Sequence, residues 1–167
     1  MLLSEFNQSD ITTIQTLLKQ CVHIPRWGAE IAKQRPFSNM NALSDLAQQQ
    51  AKSWQWEEIL AALNTHPRIG EKKAQATLSE KEHAFSNREQ ANLAQDQATL
   101  DEIFKGNVAY EKKYGFIFLI KASGLNSEQI LTALNYRLDN DIDTEKRIVH
   151  QQLLDIALLR LSQEVHA

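Results

Sequence analysis

A length of 167 residues suits one domain with a single core, and 43% hydrophobic against 23% charged residues excludes intrinsic disorder. Lys plus Arg number 18 and Asp plus Glu 21, so the net charge of −3 leaves no basic excess for a nucleic-acid backbone. The lone cysteine, Cys21, can form no intrachain disulfide and belongs to no C-x-x-C, which points to a reducing, cytoplasmic setting. The opening residues form no secretory signal. The longest nearly apolar run, residues 116–120, falls far short of the roughly 20 needed to cross a bilayer, so no membrane association is expected.

Only 5 Gly and 3 Pro occur, which favours long helices with short connections. Ser9 and Asp10 are suitable N-caps, and Ile11, Ile14, Leu17, Leu18, Cys21 and Val22 then recur at helical spacing. Pro25 fits the first turn of a second helix through about residue 34, while Pro36 pushes the residue before it out of the α region. Ser38 or Asn39 restarts the pattern. Leu43, Leu46, Ala47 and Ala51 predict a third helix, and Trp56, Ile59, Leu60 and Leu63 a fourth that stops before Pro67.

Thr65-His66-Pro67-Arg68-Ile69-Gly70-Glu71 reads as a structured connection, and residues 71–86 are polar and poorly periodic, predicting only short helical turns. From Ser86, the positions Ala91, Leu93, Ala94, Ala98, Leu100, Ile103 and Phe104 predict a helix lasting to Gly106. A shorter one over residues 108–114 then ends at Gly115. Phe116-Ile117-Phe118-Leu119-Ile120 has the composition of a buried strand with no second run to pair with, and so predicts a buried extended segment. Ser127 caps a helix carrying Ile130, Leu131, Leu134 and Leu138. The last helix, residues 144 to about 164, is apolar almost all round between Ile148 and Leu161 and belongs to the core. The expected fold is all-α, a single-domain bundle over residues 1–167 of about seven to nine helices, with the extended segment near 116–120.

Three residues stand out. Arg160 continues the stripe Val149, Leu153 and Ile156, so a guanidinium projects from the most buried helix; it is either a snorkelling or ion-paired structural residue, or a donor fork for carboxylates and carbonyls. His66 sits at a helix end before Pro67, off the regular core face, as a surface imidazole or an acid–base group. Glu89 follows Ser86 by three residues, the capping-box spacing, which accounts for it structurally. In a second reading, Glu89 and Gln90 face a cavity while the free amides of a first helical turn present donors to a ligand.

No zinc, calcium, dinucleotide, Walker or nucleophile-elbow motif occurs, so neither a metal nor a cofactor is expected. His23, His83, His150 and His166 fall on polar or irregular stretches and read as solvated, as do Lys72-Lys73 and Lys112-Lys113.

Taken together, His66-Pro67-Arg68-Ile69-Gly70, Ser86-Asn87-Arg88-Glu89-Gln90, Tyr114-Gly115-Phe116-Ile117-Phe118-Leu119-Ile120 and Arg160 within Leu158-Leu159-Arg160-Leu161 resemble the 2-oxo-4-hydroxy-4-carboxy-5-ureidoimidazoline (OHCU) decarboxylase family of purine catabolism. The likeness extends over nearly the whole chain. It implies an all-helical, cofactor-free enzyme that removes carbon dioxide from a urate-oxidation product to give (S)-allantoin, with a small ureide as its partner and a homodimer as its assembly. It implies that His66, Glu89 and Arg160 are catalytic. Pro67, Ser86, Asn87, Arg88, Gln90 and the segment Phe116, Ile117, Phe118, Leu119 and Ile120 would bind substrate, the last through its backbone. Arg68 and Glu71 occupy positions that vary in the family, and Tyr114 stands where Phe is common. The final Glu164-Val165-His166-Ala167 lacks the peroxisomal Ser-Lys-Leu type of signal, so the resemblance implies a bacterial cytoplasmic enzyme. The competing expectations are a helical ligand-binding or interaction module without catalysis, and a cofactor-free hydrolase or isomerase of another ureide.

Overall fold

The computed structural model describes residues 1–71, 78–93 and 96–167. Nine α-helices form among them: α1 Leu3–Gln8, α2 Ile11–Cys21, α3 Pro25–Lys33, α4 Met40–Ala51, α5 Trp56–Leu63, α6 Glu80–Glu89, α7 Gln97–Tyr114, α8 Ser127–Arg137 and α9 Ile142–Glu164. The all-α expectation holds. The chain divides into two compact units, residues 1–62 with 154–167, and residues 63–153.

In the first unit, local caps start the helices where the sequence suggests. The Asp10 carboxylate accepts from the Thr13 N–H at 2.9 Å to open α2, Pro25 occupies the first turn of α3, and Asn39 accepts from the Ala42 N–H at 2.9 Å to open α4. The fully buried Trp27 indole donates to the Ala47 carbonyl at 3.0 Å and meets Trp54 edge-on at 6.3 Å, which joins α3 to the end of α4. Burying an aromatic side chain of this kind contributes about 2–3 kcal/mol. Helix α1 was not expected. Leu2 offers no capping side chain, and the helix is held instead by Glu5, whose carboxylate accepts from the Leu2 N–H, and by the Leu3 N–H donating to the His166 carbonyl at 2.8 Å. That second contact reaches across almost the full chain and leaves no local signal.

The second unit departs further from expectation. Helix α6 starts at Ser79, whose hydroxyl accepts from the Glu82 N–H while the Glu82 carboxylate accepts from the Ser79 N–H at 2.9 Å. The sequence contains two S-x-x-E spacings, and the first of them, Ser79 to Glu82, is the capping box. The predicted helix beginning at Ser86 is therefore corrected: Ser86 to Glu89 are the last turn of α6, not the first turn of α7. Ala94, counted in that predicted helix, and Lys72-Lys73 lie outside the described residues.

Helix α7 begins behind Asp96, which accepts from the Ala98 and Thr99 N–H groups, and runs unbroken through Gly106 to Tyr114. Gly106 does not end a helix; it lets α8 approach. A Cβ there would collide with Leu134 Cδ2 and lie 3.0 Å from its Cγ. Gly115, with φ of 83°, is the true stop, its N–H donating to the Glu111 carbonyl at 2.8 Å. Residues 116–120 are buried, as expected, and form neither helix nor strand, with no strand beside them among the described residues. Asn126, not Ser127, caps α8. Helix α9 begins two residues before the predicted start, and its Val149, Leu153, Ile156, Ala157 and Leu161 are buried.

Candidate active site

The loop after α5 turns sharply, the His66 N–H donating to the Leu63 carbonyl at 3.0 Å, and both His66 and Pro67 are buried. Pro67 biases the preceding backbone away from helix, so the chain leaves α5 there and does not continue it. Three further contacts fix the loop. The Arg68 guanidinium grips Glu111 on α7, its Nε 2.9 and 3.1 Å from the two carboxylate oxygens. The Asn107 side chain donates to the Ile69 carbonyl at 3.1 Å, and the Gly70 N–H donates to Gln90 Oε1 at 3.0 Å. Gly70, at φ of 86°, supplies the left-handed backbone that the reversal requires.

Against this loop lies the C-terminal turn of α6. The Gln90 N–H donates to the Ser86 carbonyl at 3.1 Å and the Ala91 N–H to the Arg88 carbonyl at 3.2 Å, closing the helix. A cavity of about 360 Å³ lies between them, lined by Pro67, Gly70, Glu71, His83, Ser86, Asn87, Gln90, Ala91, Leu93 and Leu100. That volume suits a small-molecule ligand. Because Ser86 to Gln90 end a helix, this turn offers carbonyl acceptors and side chains; the reading in which first-turn amides present donors is corrected accordingly.

Of the predicted positions, Pro67, Ser86, Asn87 and Gln90 line this cavity; His66, the buried residue before Pro67, is not among the lining residues. Arg88 and Glu89 occupy the same turn; the Arg88 guanidinium lies 5.3 Å over the Phe85 ring. Gly70, Glu71, His83, Ala91, Leu93 and Leu100 were not anticipated as lining residues. A usable signal existed for His83: once α6 starts at Ser79, His83 stands three and four residues before Ser86 and Asn87, on one helical face.

Residues 116–120 are anchored by side chains. Arg137 donates to the Leu119 carbonyl at 2.6 Å with its guanidinium 4.5 Å over the Phe118 ring, and the Lys121 N–H donates to Gln152 at 2.8 Å. Phe116 and Phe118 pack edge-on against Tyr110 at 5.9 and 5.3 Å. The segment is not part of the cavity lining. Arg160 is buried, 5% exposed, on the part of α9 that belongs to the first unit.

A family model for OHCU decarboxylase matches residues 7–162. The chain is 30% identical over 142 residues to the 2-oxo-4-hydroxy-4-carboxy-5-ureidoimidazoline decarboxylase of Haloferax volcanii, covering 84% of this chain and 82% of that protein. It is 28% identical to the uric acid degradation bifunctional protein TTL of Arabidopsis thaliana over 87% of its own length, but spans only 45% of that longer protein. With the uric acid degradation bifunctional protein PucL of Bacillus subtilis it shares 28% identity, spanning 96% of this chain and 32% of that one. In fold it is similar to a crystal structure of OHCU decarboxylase in the presence of (S)-allantoin, with a TM-score of 0.74 and 24% identity over 93% of this chain and 98% of that one. No described helix is long and apolar enough to cross a membrane. From the family match and the relative in Haloferax volcanii, the chain belongs to the OHCU decarboxylase family of carboxy-lyases.

Proposed function

We propose that this chain decarboxylates OHCU to (S)-allantoin without a cofactor, in the cytoplasm, as a step of urate breakdown. The family match over residues 7–162 carries the reading, since it takes in every motif of the proposed site from His66 to Arg160 and runs through both units, supporting one decarboxylase domain over residues 1–167. The cavity beside Pro67 and Gln90, of a size for a small ureide, supports it independently.

The substrate carries its own electron sink. Cleaving the bond between ring and carboxylate releases carbon dioxide, and the electron pair moves into the adjacent C=N. The nitrogen of that bond takes up a proton, and protonation of one face of the ureido-bearing carbon, with loss of the 4-hydroxyl proton as that oxygen becomes the ring carbonyl, then sets the configuration of allantoin. In this proposal His66 and Glu89 hold the 4-hydroxyl and carboxylate region, while Arg160 is the guanidinium that anchors ring and ureido oxygens. Pro67, Ser86, Asn87, Arg88, Gln90 and the backbone of residues 116–120 bind the remainder. Orientation and fixed dipoles supply most of the rate enhancement. The family resemblance extends the proposal to a homodimer, for which light scattering should return the mass of two chains.

The test generates OHCU freshly with uricase and hydroxyisourate hydrolase and follows carbon dioxide release with the optical signal of allantoin. Accelerated release with a single-handed product is expected. Release at the uncatalysed rate with racemic product would leave a non-catalytic module, and conversion of another ureide would leave a different enzyme.

A further inference from the structure

The loop that carries His66 and Pro67 takes three of its described attachments from other elements, and two of these come from one face of α7. Asn107 and Glu111 are four residues apart on that helix, so their side chains stand one turn above another, and they take hold of the consecutive loop residues Ile69 and Arg68. The two grips differ in kind. Asn107, 4% exposed, engages the backbone, where a lost donor leaves the Ile69 carbonyl buried without its bond. Glu111 engages a side chain through a two-oxygen fork, with Arg68 Nη2 also 2.9 Å from Oε1. Both side chains of that pair are about a quarter exposed, so surface screening alone would leave the ion pair little weight in stability. Its two-point geometry nevertheless fixes where the loop sits.

We infer that Asn107 and Glu111 are positioning residues for the reaction: acting through Ile69 and Arg68, they set the placement of His66 and Pro67 against the cavity. This deepens the proposed function and rests on it. Neither residue lines the cavity, so neither is expected to bind substrate itself. Misplacement of a reacting group by about 1 Å costs on the order of a hundredfold in rate. Loosening one of two grips should therefore lower kcat by about tenfold or more, with KM changed less than threefold.

The experiment compares wild type with N107A, E111Q, R68M and the R68M/E111Q double variant, measuring kcat and KM on fresh OHCU, Tm, and amide hydrogen exchange at residues 66–71. R68M keeps Glu111 intact and so guards against a variant that fails to fold. The expected result is a fall in kcat with near-constant KM in every variant, Tm near wild type in R68M and E111Q, faster exchange confined to the loop, and a double variant no worse than its singles. Unchanged kcat in all variants, or kcat and Tm falling together with exchange raised throughout α7, would overturn the inference. Inactive wild type would instead sink the proposed function, while loop exchange would still report whether the grips hold.

Discussion

Tyr110 donates its phenolic hydrogen bond to Glu145 at 2.5 Å, joining two residues 35 positions apart inside the second unit. The fully buried Glu145 carboxylate also receives Arg137 at 2.6 Å and the Asn140 side-chain amide at 2.9 Å, so both its oxygens are satisfied. Arg137 in turn holds the Leu119 carbonyl. Such a pair adds little over an apolar core when complete, but removing one member strands a buried charge. Its role is to seat residues 116–120, whose Phe118 also packs edge-on against Tyr110 and whose next residue, Lys121, donates its N–H to Gln152.

Burial, reinforced by the hydrogen bond to Glu145, raises the Tyr110 phenol well above its ordinary value of 10.0. The folded state therefore keeps a proton that the unfolded state releases above about pH 10. The stability from this group is complete below that pH and declines as pH rises beyond it. Urea unfolding at pH 8 and pH 11 should show a loss of stability in wild type that is smaller in Y110F. An equal loss in both would place the alkaline sensitivity elsewhere. At pH 8, Y110F itself should cost about 1–3 kcal/mol, the usual result of removing a hydrogen bond to a buried charged group.

Ser79 and Ser86 exchange the roles that spacing alone would give them. Because Ser79 closes the capping box of α6, S79A should lower stability by about 1 kcal/mol with kinetics unchanged. S86A removes a hydroxyl from the cavity wall and no cap, so it should raise KM while Tm moves little. Thermal melts and steady-state kinetics on the two variants decide this; a larger Tm loss in S86A than in S79A would contradict the assignment.

Gly106 gives a test of packing against propensity. In an exposed helix, Gly→Ala gains about 1 kcal/mol. Here the added methyl meets the fully buried Leu134 side chain, so G106A should be destabilising by about 1 kcal/mol net after overpacking of about 1–3 kcal/mol. Denaturant titration would check it, and a stabilised G106A would show that α7 and α8 separate at little cost.

Placed near the substrate carboxylate, as proposed, Glu89 disfavours the charged ground state, and that repulsion is relieved as neutral carbon dioxide leaves. On that basis E89Q should lower kcat by more than it weakens an allantoin-like inhibitor. Equal losses in the two would reduce Glu89 to a binding residue.

Much of the fold could be read locally, and the errors share a cause. Asp10, Pro25 and Asn39 announce α2, α3 and α4 because a cap acts within its own first turn. The pairless apolar run at 116–120 was readable by composition alone. Helix α1, the register of α6 and the continuation of α7 through Gly106 were not, because each depends on something distant or on a choice between equal local signals. His166 steadies α1, two S-x-x-E spacings compete for one cap, and Leu134 explains a glycine that otherwise reads as a stop. At the candidate site, Pro67 was visible as a break in helical pattern, and Ser86 to Gln90 as a capping-box spacing that the structure places at the end of α6 instead of the start of a helix. Asn107 and Glu111 were not: they are ordinary polar residues on a helix until the loop, 38 and 43 positions earlier, folds against them.

The most direct measurement of the central claim sets wild type beside H66N on freshly generated OHCU, followed by circular dichroism in the near-ultraviolet for product and in the far-ultraviolet for fold. Wild type should build a growing signal of one sign as carbon dioxide is released. H66N, with its helical spectrum unchanged, should lose about 10²-fold or more in rate and drift towards racemic product. An H66N variant that still yields (S)-allantoin at near wild-type speed would contradict the role given to His66 and the site built around it.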